Sequence, residues 1–177
     1  AELGDYFAKP VYSRGGVDVL TNRGPLAAAR DKSKCIPTTS RPWVVEEYLD
    51  GLDICTFGIA RRGKLVAHAC YVHPREIEHA GGTVFESIDD AQALDAVQRF
   101  VEWAKYDGQI SFDFRRTREG LVVIECNPRP TAGVHLVSDA AFIDAMIGPG
   151  DRLHVVPPGV RPKYSLALLR DMVLHRQ

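Results

Sequence analysis

The sequence predicts an α+β fold, an antiparallel sheet with flanking helices, and three stretches carry that prediction. Residues 109–117 and 121–127 each alternate apolar and polar side chains, and Arg118-Glu119-Gly120 between them fits a three-residue hairpin loop with Gly120 at a position needing positive φ. Residues 53–61 and 64–72 read as a second hairpin about Arg62-Gly63. Residues 91–106 read as an amphipathic helix between the two hairpins. Asp89-Asp90 cap it, Leu94, Val97, Val101 and Ala104 share one face, and Gly108 lies past its end.

In chain order, residues 7–12 read as a strand, Ser13-Arg14-Gly15-Gly16 as a loop and residues 17–20 as the returning strand. A Gly-rich loop between strands either brings backbone N–H groups to a phosphate, aided by Lys9 and Arg14, or is a plain hairpin tip. Residues 25–30 suit a short helix and 37–42 an exposed connection. Residues 42–48 read as a buried strand, with Glu46 and Glu47 taken alone as strand residues of which one is solvated, and 49–51 as a turn. The stretch 73–84 is polar and loop-like, with Arg75, Glu78 and His79 able to contact phosphate or substrate. Pro128-Arg129-Pro130 ends the last strand, 131–133 form a loop, and 134–146 suit a helix over the site. Pro157-Pro158-Gly159 reads as a stiff linker to a helical segment, 163–175, whose stripe of Tyr164, Leu168, Leu169 and Met172 needs a packing partner.

The three-residue loop fixes a register in which Thr117 faces Leu121, Arg115 faces Val123, Asp113 faces Glu125 and Ser111 faces Asn127. Asp113, Glu125 and Asn127 then converge on one face, while Ile110, Phe112, Phe114, Val122, Ile124 and Cys126 form a core side on the other. Two opposed carboxylates repel, so the face needs a compensating cation or exposure to water. Mg²⁺ takes hard oxygen ligands at about 2.0–2.1 Å and suits two carboxylates and an amide carbonyl. The alternative is a solvated acidic face partnered by Arg115 and Arg129. Arg129 itself suits either a phosphoryl oxygen, gripped bidentately, or a salt bridge to Glu125.

With 177 residues, 45% hydrophobic content and a net charge of −1, the chain can bury one core or two small ones. It offers no large basic field for nucleic acid, no apolar run that would cross a bilayer and no leader pattern, so the cytoplasm is the default location. Cys35, Cys55, Cys70 and Cys126 are scattered without a Cys-x-x-Cys pair and read as free thiols. Neither a Walker A pattern nor Gly-x-Gly-x-x-Gly occurs. The abrupt start, AELGDYFAKP without Met, reads as that of a fragment.

The runs FDFR and VIECNPRP ending in TAGVHL, with Ala8-Lys9-Pro10, Ser13-Arg14-Gly15-Gly16 and Val44-Val45-Glu46-Glu47-Tyr48-Leu49-Asp50-Gly51 upstream, resemble the ATP-grasp superfamily of ATP-dependent carboxylate–amine or thiol ligases over residues 6–148. The resemblance implies a partial central subdomain in 1–42, a carboxy-terminal subdomain in 43–150, and a linker and carboxy-terminal helix in 151–177. It implies ATP as ligand, with Mg²⁺, as one or two ions or replaced by Mn²⁺, on Asp113, Glu125 and Asn127. By the same resemblance Lys9 contacts phosphates under the loop of Arg14, Gly15 and Gly16, and backbone groups over Glu46, Glu47, Tyr48 and Leu49 recognise adenine. Asp53 stands where the family more often has Glu on the ribose. The resemblance further implies that catalysis would rest on Mg²⁺, Lys9 and Arg129. The implied reaction activates a carboxylate as an acylphosphate for attack by an amine or other nucleophile; a non-catalytic nucleotide-binding or regulatory module is the rival. A second phosphate-contacting lysine and an amino-terminal domain, both usual in the family, are expected in a missing part of the same protein. A homo-oligomer is compatible with all of this.

Overall fold

The computed structural model describes residues 4–12, 18–24, 27, 33, 35–76 and 82–162. Its strands are β1 (Tyr6–Pro10), β2 (Leu20–Thr21), β3 (Trp43–Glu47), β4 (Leu52–Arg61), β5 (Lys64–Glu76), β6 (Gly82–Ser87), β7 (Gly108–Arg116), β8 (Leu121–Asn127) and β9 (His154–Val155), with helices α1 (Ala91–Ala104) and α2 (Asp139–Ile147) and a 3-10 helix over Ala132–Leu136. Internal contacts divide the chain into two units, one comprising residues up to Gly51 together with Arg75–Thr83, the other Leu52–Pro74 and the residues from Val84 on.

The first unit holds a three-stranded antiparallel sheet in the order β2-β1-β3. Ala8, Leu20 and Thr21 are buried in it. Asn22 accepts the Tyr6 N–H at 2.9 Å, and Arg23 pairs with Asp50 at 2.6 Å and with Asp5, tying the β2 end to the β3 end of the unit. The expected first strand stops at Pro10, leaving Val11 and Tyr12 exposed, and the returning strand shrinks to β2. The expected buried strand 42–48 is instead exposed over Val45, Glu46 and Glu47, and among the described residues β3 has a strand partner on one side only. The Gly-rich loop, with Arg14, Gly15 and Gly16, lies outside the described residues, as do Glu78, His79 and the segment 163–175; of the expected helix 25–30 only residue 27 is described.

The second unit is built on a six-stranded sheet, order β6-β5-β4-β7-β8, with β9 added in parallel to β5. Arg62 (φ 51°) and Gly63 (φ 78°) both take the left-handed conformation that a two-residue hairpin turn needs, so β4 and β5 pair as the sequence predicts. On one face α1 packs through Ala93, Val97 and Val101 on Ile54, Cys70, Ile110, Phe112 and Phe114. On the other, the 3-10 helix and α2 pack through Leu136, Val137 and Ala145 on Phe57, Ile59, Val66, Ala67 and Ala69. Asp90 caps α1 by accepting the Ala93 N–H at 3.0 Å and also pairs with Arg116 of β7.

Several local expectations need correction. Ala93 rather than Ala104 completes the buried stripe of α1, and the helix ends at Lys105 (φ 47°), which puts Ala104 in solvent. The loop-like stretch 73–84 is largely strand, since β5 continues to Glu76 and β6 begins at Gly82. Pro74 is tolerated there because β5 is past Tyr71, its last residue paired with β4. The helix expected over 134–146 is broken: Ser138 leaves the helical conformation and caps α2 by accepting the Ala141 N–H at 3.3 Å. The linker at 157–159 is tied down, because Ser87 bonds Pro157 O at 2.6 Å and the Val160 and Gly159 N–H groups at 2.8 Å each. Among the described residues no helix is long and apolar enough to cross a membrane.

The β7–β8 hairpin keeps its expected pairs at the far end, Asp113 with Glu125 and Ser111 with Asn127, and loses them near the turn. Arg116 pairs Leu121 and Arg115 pairs Val122, because residues 117–120 form a four-residue loop. Thr117 organises that loop: its N–H donates to Gly120 O at 2.9 Å and its hydroxyl accepts the Glu119 N–H at 3.1 Å. A bulge at Ile124 then resets the register. The expected core side holds on β7 but not on β8, where Val122 and Cys126 are exposed and Ile124 is half-buried. The slip near the turn pairs Val122 with Arg115 and so puts it on the opposite face, while Leu121 and Val123 take the α1 side, where Leu121 packs against the core. A groove of about 460 Å³, lined by α1 and by Phe114, Leu121 and Val123, opens there.

Candidate functional site

The sheet of the second unit sets its site residues in rows. Tyr71, Cys55, Asp113 and Glu125 stand opposite one another on β5, β4, β7 and β8, and the next row runs Ala69, Phe57, Ser111 and Asn127. Residues directly opposite in antiparallel strands share a face, so one surface carries Cys55, Asp113, Glu125 and Asn127. Asp113 and Cys55 are half-buried, Asn127 is 8% exposed, and Glu125 is exposed.

The side chains link up. Asn127 Nδ2 lies 3.4 Å from Asp113 Oδ2, and Asn127 Oδ1 accepts from Arg129 Nη2 at 3.1 Å. The Arg129 backbone is held at both ends: its N–H donates to Asn127 O at 2.8 Å and its carbonyl accepts from Ser111 Oγ at 3.2 Å. Arg115 pairs with Asp53 at 2.9 Å, directly across β7 and β4. Both arginines offered by the sequence as partners of the acidic pair are thus engaged elsewhere. Among the described residues no ion pair reaches Asp113 or Glu125.

Burial, together with the neighbouring Asp113 charge and a hydrogen bond to it, pushes the Cys55 thiol far above the usual range, so it stays protonated. Its sulfur lies 3.7 Å from His73 Nε2. His73, Tyr71 and Phe85 meet edge-to-face, with ring centroids 5.0–5.8 Å apart.

Among the described residues no three His, Cys, Asp or Glu side chains gather as a metal-binding group. The donor set here is two carboxylates and an amide. Its chemistry fits Mg²⁺, which seldom relies on an all-protein cage and completes its shell with phosphate and water oxygens. Asn127 Oδ1 has two lone pairs and can serve both Arg129 and a cation.

In the first unit, Lys9 and Glu46 come together: their strands pair with Lys9 opposite Val44, and Lys9 Nζ lies 3.7 Å from Glu46 Oε2. The Tyr48 N–H donates to Asp5 O at 3.0 Å, Leu49 is half-buried, and Glu47 is exposed.

Sequence reasoning missed Cys55, Tyr71 and Thr131 at the site, and set Ser111 opposite Asn127 without giving it a role. Cys55 was within reach, since carrying the alternation of β7 across to β4 puts it beside Asp113. Tyr71 and Thr131 meet through contacts that no local pattern encodes.

No protein-family model matches the chain. No curated protein sequence matches it either. Solved structures do. Phosphoribosylamine–glycine ligase from Thermotoga maritima aligns over 87% of this chain and 46% of its own, at 13% identity and a TM-score of 0.61. The biotin carboxylase domain of 2-oxoglutarate carboxylase from Hydrogenobacter thermophilus, in complex with MgADP, ADP and bicarbonate, aligns over 85% and 37%, at 16% identity and a TM-score of 0.57. The ATP-grasp ligase PsnB, complexed with a minimal precursor, aligns over 81% and 47%, at 18% identity and a TM-score of 0.52. The chain spans less than half the length of each of these. At such identities the likeness is one of fold.

Proposed function

We propose, from the premise that the chain carries the ATP-grasp fold, that it is the ATP- and magnesium-binding part of an ATP-dependent ligase that activates a carboxylate as an acylphosphate. One observation supports this above the others: Asp113 and Glu125 stand opposite each other, and among the described residues neither has an ion-pair partner, while Arg115 and Arg129 bind Asp53 and Asn127. Two such carboxylates, one half-buried and one open to solvent, offer a place for a cation from outside the chain.

Asp113, Glu125 and Asn127 would hold Mg²⁺, or Mn²⁺ in its place. When bound, the metal neutralises phosphate charge and polarises the γ-phosphorus. Arg129, its guanidinium steadied by Asn127, would grip an oxygen of the phosphoryl group in transfer. Lys9 would contact phosphate on exchanging its Glu46 partner for the nucleotide, under the loop of Arg14, Gly15 and Gly16. The backbone from Glu46 to Leu49 would read adenine, and Asp53, oriented by Arg115, the ribose.

In the proposed reaction a substrate carboxylate oxygen attacks the γ-phosphorus. The bond from that phosphorus to the β–γ bridging oxygen breaks, and ADP leaves. The acceptor then attacks the acyl carbon, phosphate departs with the bonding electron pair, and the acceptor's proton passes to phosphate or water. No side-chain nucleophile is required, in keeping with a Cys55 thiol held protonated.

The test is ADP release by the full-length protein against a panel of carboxylates and amines. Turnover that needs both a carboxylate and Mg²⁺, and that Glu125→Gln abolishes, is the expected result. Tight MgATP binding without turnover on any pair would replace this reading with a nucleotide-binding module.

A further inference from the structure

Behind Arg129 and Asn127 runs a chain of hydroxyl groups that the chemistry above does not use. Ser111 Oγ donates to the Arg129 carbonyl, Thr131 Oγ1 donates to Ser111 Oγ at 3.0 Å, and the Tyr71 hydroxyl lies 3.2 Å from Thr131 Oγ1. Once Thr131 has given its proton to Ser111 it can only accept, so Tyr71 is the donor at that step. Every proton along the line points toward Arg129.

Three features set this apart from incidental surface bonding. Ser111 is fully buried and Tyr71 is 2% exposed, so neither hydroxyl has bulk water as an alternative partner. Thr131 occupies the N-cap position of the 3-10 helix yet makes no side-chain cap; its hydroxyl is committed to Ser111 instead. Gly133 is required where it stands, because an added Cβ would lie 2.6 Å from Phe57 Cβ and from Tyr71 Cε1. The 3-10 helix is thereby clamped to the sheet behind the site.

We propose that Tyr71, Thr131 and Ser111 are positioning residues that fix the Arg129 backbone, so that its guanidinium holds Asn127 in place as a metal ligand. The proposal rests on the reading of Asp113, Glu125 and Asn127 as the metal site. Outer partners of metal ligands act in this way, by restricting a ligand to its binding rotamer.

The experiment compares Thr131→Val, Thr131→Ser, Tyr71→Phe and a control, Thr56→Val, in the full chain. Thr56 lies in the same sheet, is as buried as Ser111 and Tyr71, and bonds the Phe112 N–H at 3.2 Å, on the face away from the site. Two readouts are taken: the side-chain amide resonances of Asn127 in metal-free protein, and calorimetric affinity for Mn·ADP and for ADP in chelator. Thr131→Val and Tyr71→Phe are expected to move the Asn127 resonances and weaken Mn·ADP about tenfold, leaving metal-free ADP unchanged, while Thr131→Ser restores both. Thr56→Val is expected to lower the melting temperature without either effect. Unmoved Asn127 resonances in Thr131→Val, or a Mn·ADP loss in Thr56→Val to match its melting loss, would overturn the positioning role while leaving the metal site intact. If the unsubstituted chain shows no Mn·ADP binding that Asp113→Asn removes, the metal site fails first and the positioning role falls with it.

Discussion

Replacing Glu125 by Gln separates a metal site from an ordinary acidic surface, because it moves two quantities in opposite directions. In the metal-free chain Glu125 and Asp113 are a directly opposed like-charge pair with no ion-pair partner among the described residues. Cross-strand neighbours of this kind have Cβ atoms about 5 Å apart, and unit charges at that separation in water-like surroundings repel by just under about 1 kcal/mol. Screening at about 0.15 M salt roughly halves this. Glu125→Gln should therefore stabilise the metal-free protein by about 0.4–0.8 kcal/mol, a rise of about 1–3 °C in Tm, and the gain should fade at about 1 M salt. With Mg²⁺ and nucleotide present the sign reverses: a lost carboxylate ligand should cost at least about tenfold in affinity, about 1.4 kcal/mol or more. Thermal unfolding in chelator at two salt concentrations, with calorimetry of Mg·ADP, gives both numbers. A variant that is less stable without metal, or whose Mg²⁺ dependence equals that of the parent, would refute the reasoning.

Lys9→Ala should weaken ATP binding while leaving adenosine binding and stability nearly unchanged, since its half-exposed pair with Glu46 at 3.7 Å is worth under about 1 kcal/mol; equal weakening for adenosine in calorimetry would count against a phosphate contact. Arg129→Lys should slow substrate-dependent ADP release by the full-length protein at least about tenfold, because an ammonium cannot reproduce the planar fork; a rate within the error of the parent would dismiss the role. His68, buried with Nε2 unpartnered, is lowered to about 4 by burial, against a smaller upward pull from Asp90. The unfolded chain binds this proton near pH 6.5 and the native chain does not, so stability should fall by about 2 kcal/mol between about pH 7 and about pH 5. His68→Leu should remove that part of the slope in urea unfolding, and an unchanged slope would show that other groups carry it.

The extent to which the sequence is readable follows from the range of the forces involved. Alternation and turn chemistry are local, so the β4–β5 hairpin about Arg62-Gly63, the Asp90 cap of α1 and the pairing of Asp113 with Glu125 are all legible. Position within a sheet is not local. The same apolar alternation describes β7, whose Ile110, Phe112 and Phe114 are buried, and β8, where the slip at the turn puts Val122 on the other face and Cys126, opposite Phe112, is exposed. Polar alternation likewise conceals β6 and the end of β5, which read as loop until their pairing is seen. The line from Tyr71 through Thr131 to Ser111 joins residues 60 and 20 positions apart, so it exists only in the folded chain.

The hairpin carrying the candidate metal ligands shows why the site survives an inaccurate reading of its own turn. A one-residue slip in an antiparallel pair sends every side chain of one strand to the opposite face. The four-residue loop at 117–120 imposes such a slip on Arg115 and Arg116, which pair Val122 and Leu121. Carried to the end of the strand, it would set Asp113 opposite Ile124 and turn Glu125 and Asn127 toward the α1 face. The bulge at Ile124 absorbs the extra residue, and from there Asp113 meets Glu125 and Ser111 meets Asn127. Bulges leave a residue unpaired and disrupt the ladder locally, so one is retained where it re-aims side chains. Here it restores two carboxylates to a shared face at the expense of bringing like charges together. A hairpin shaped only for stability has no use for that arrangement; a hairpin that binds a divalent cation does.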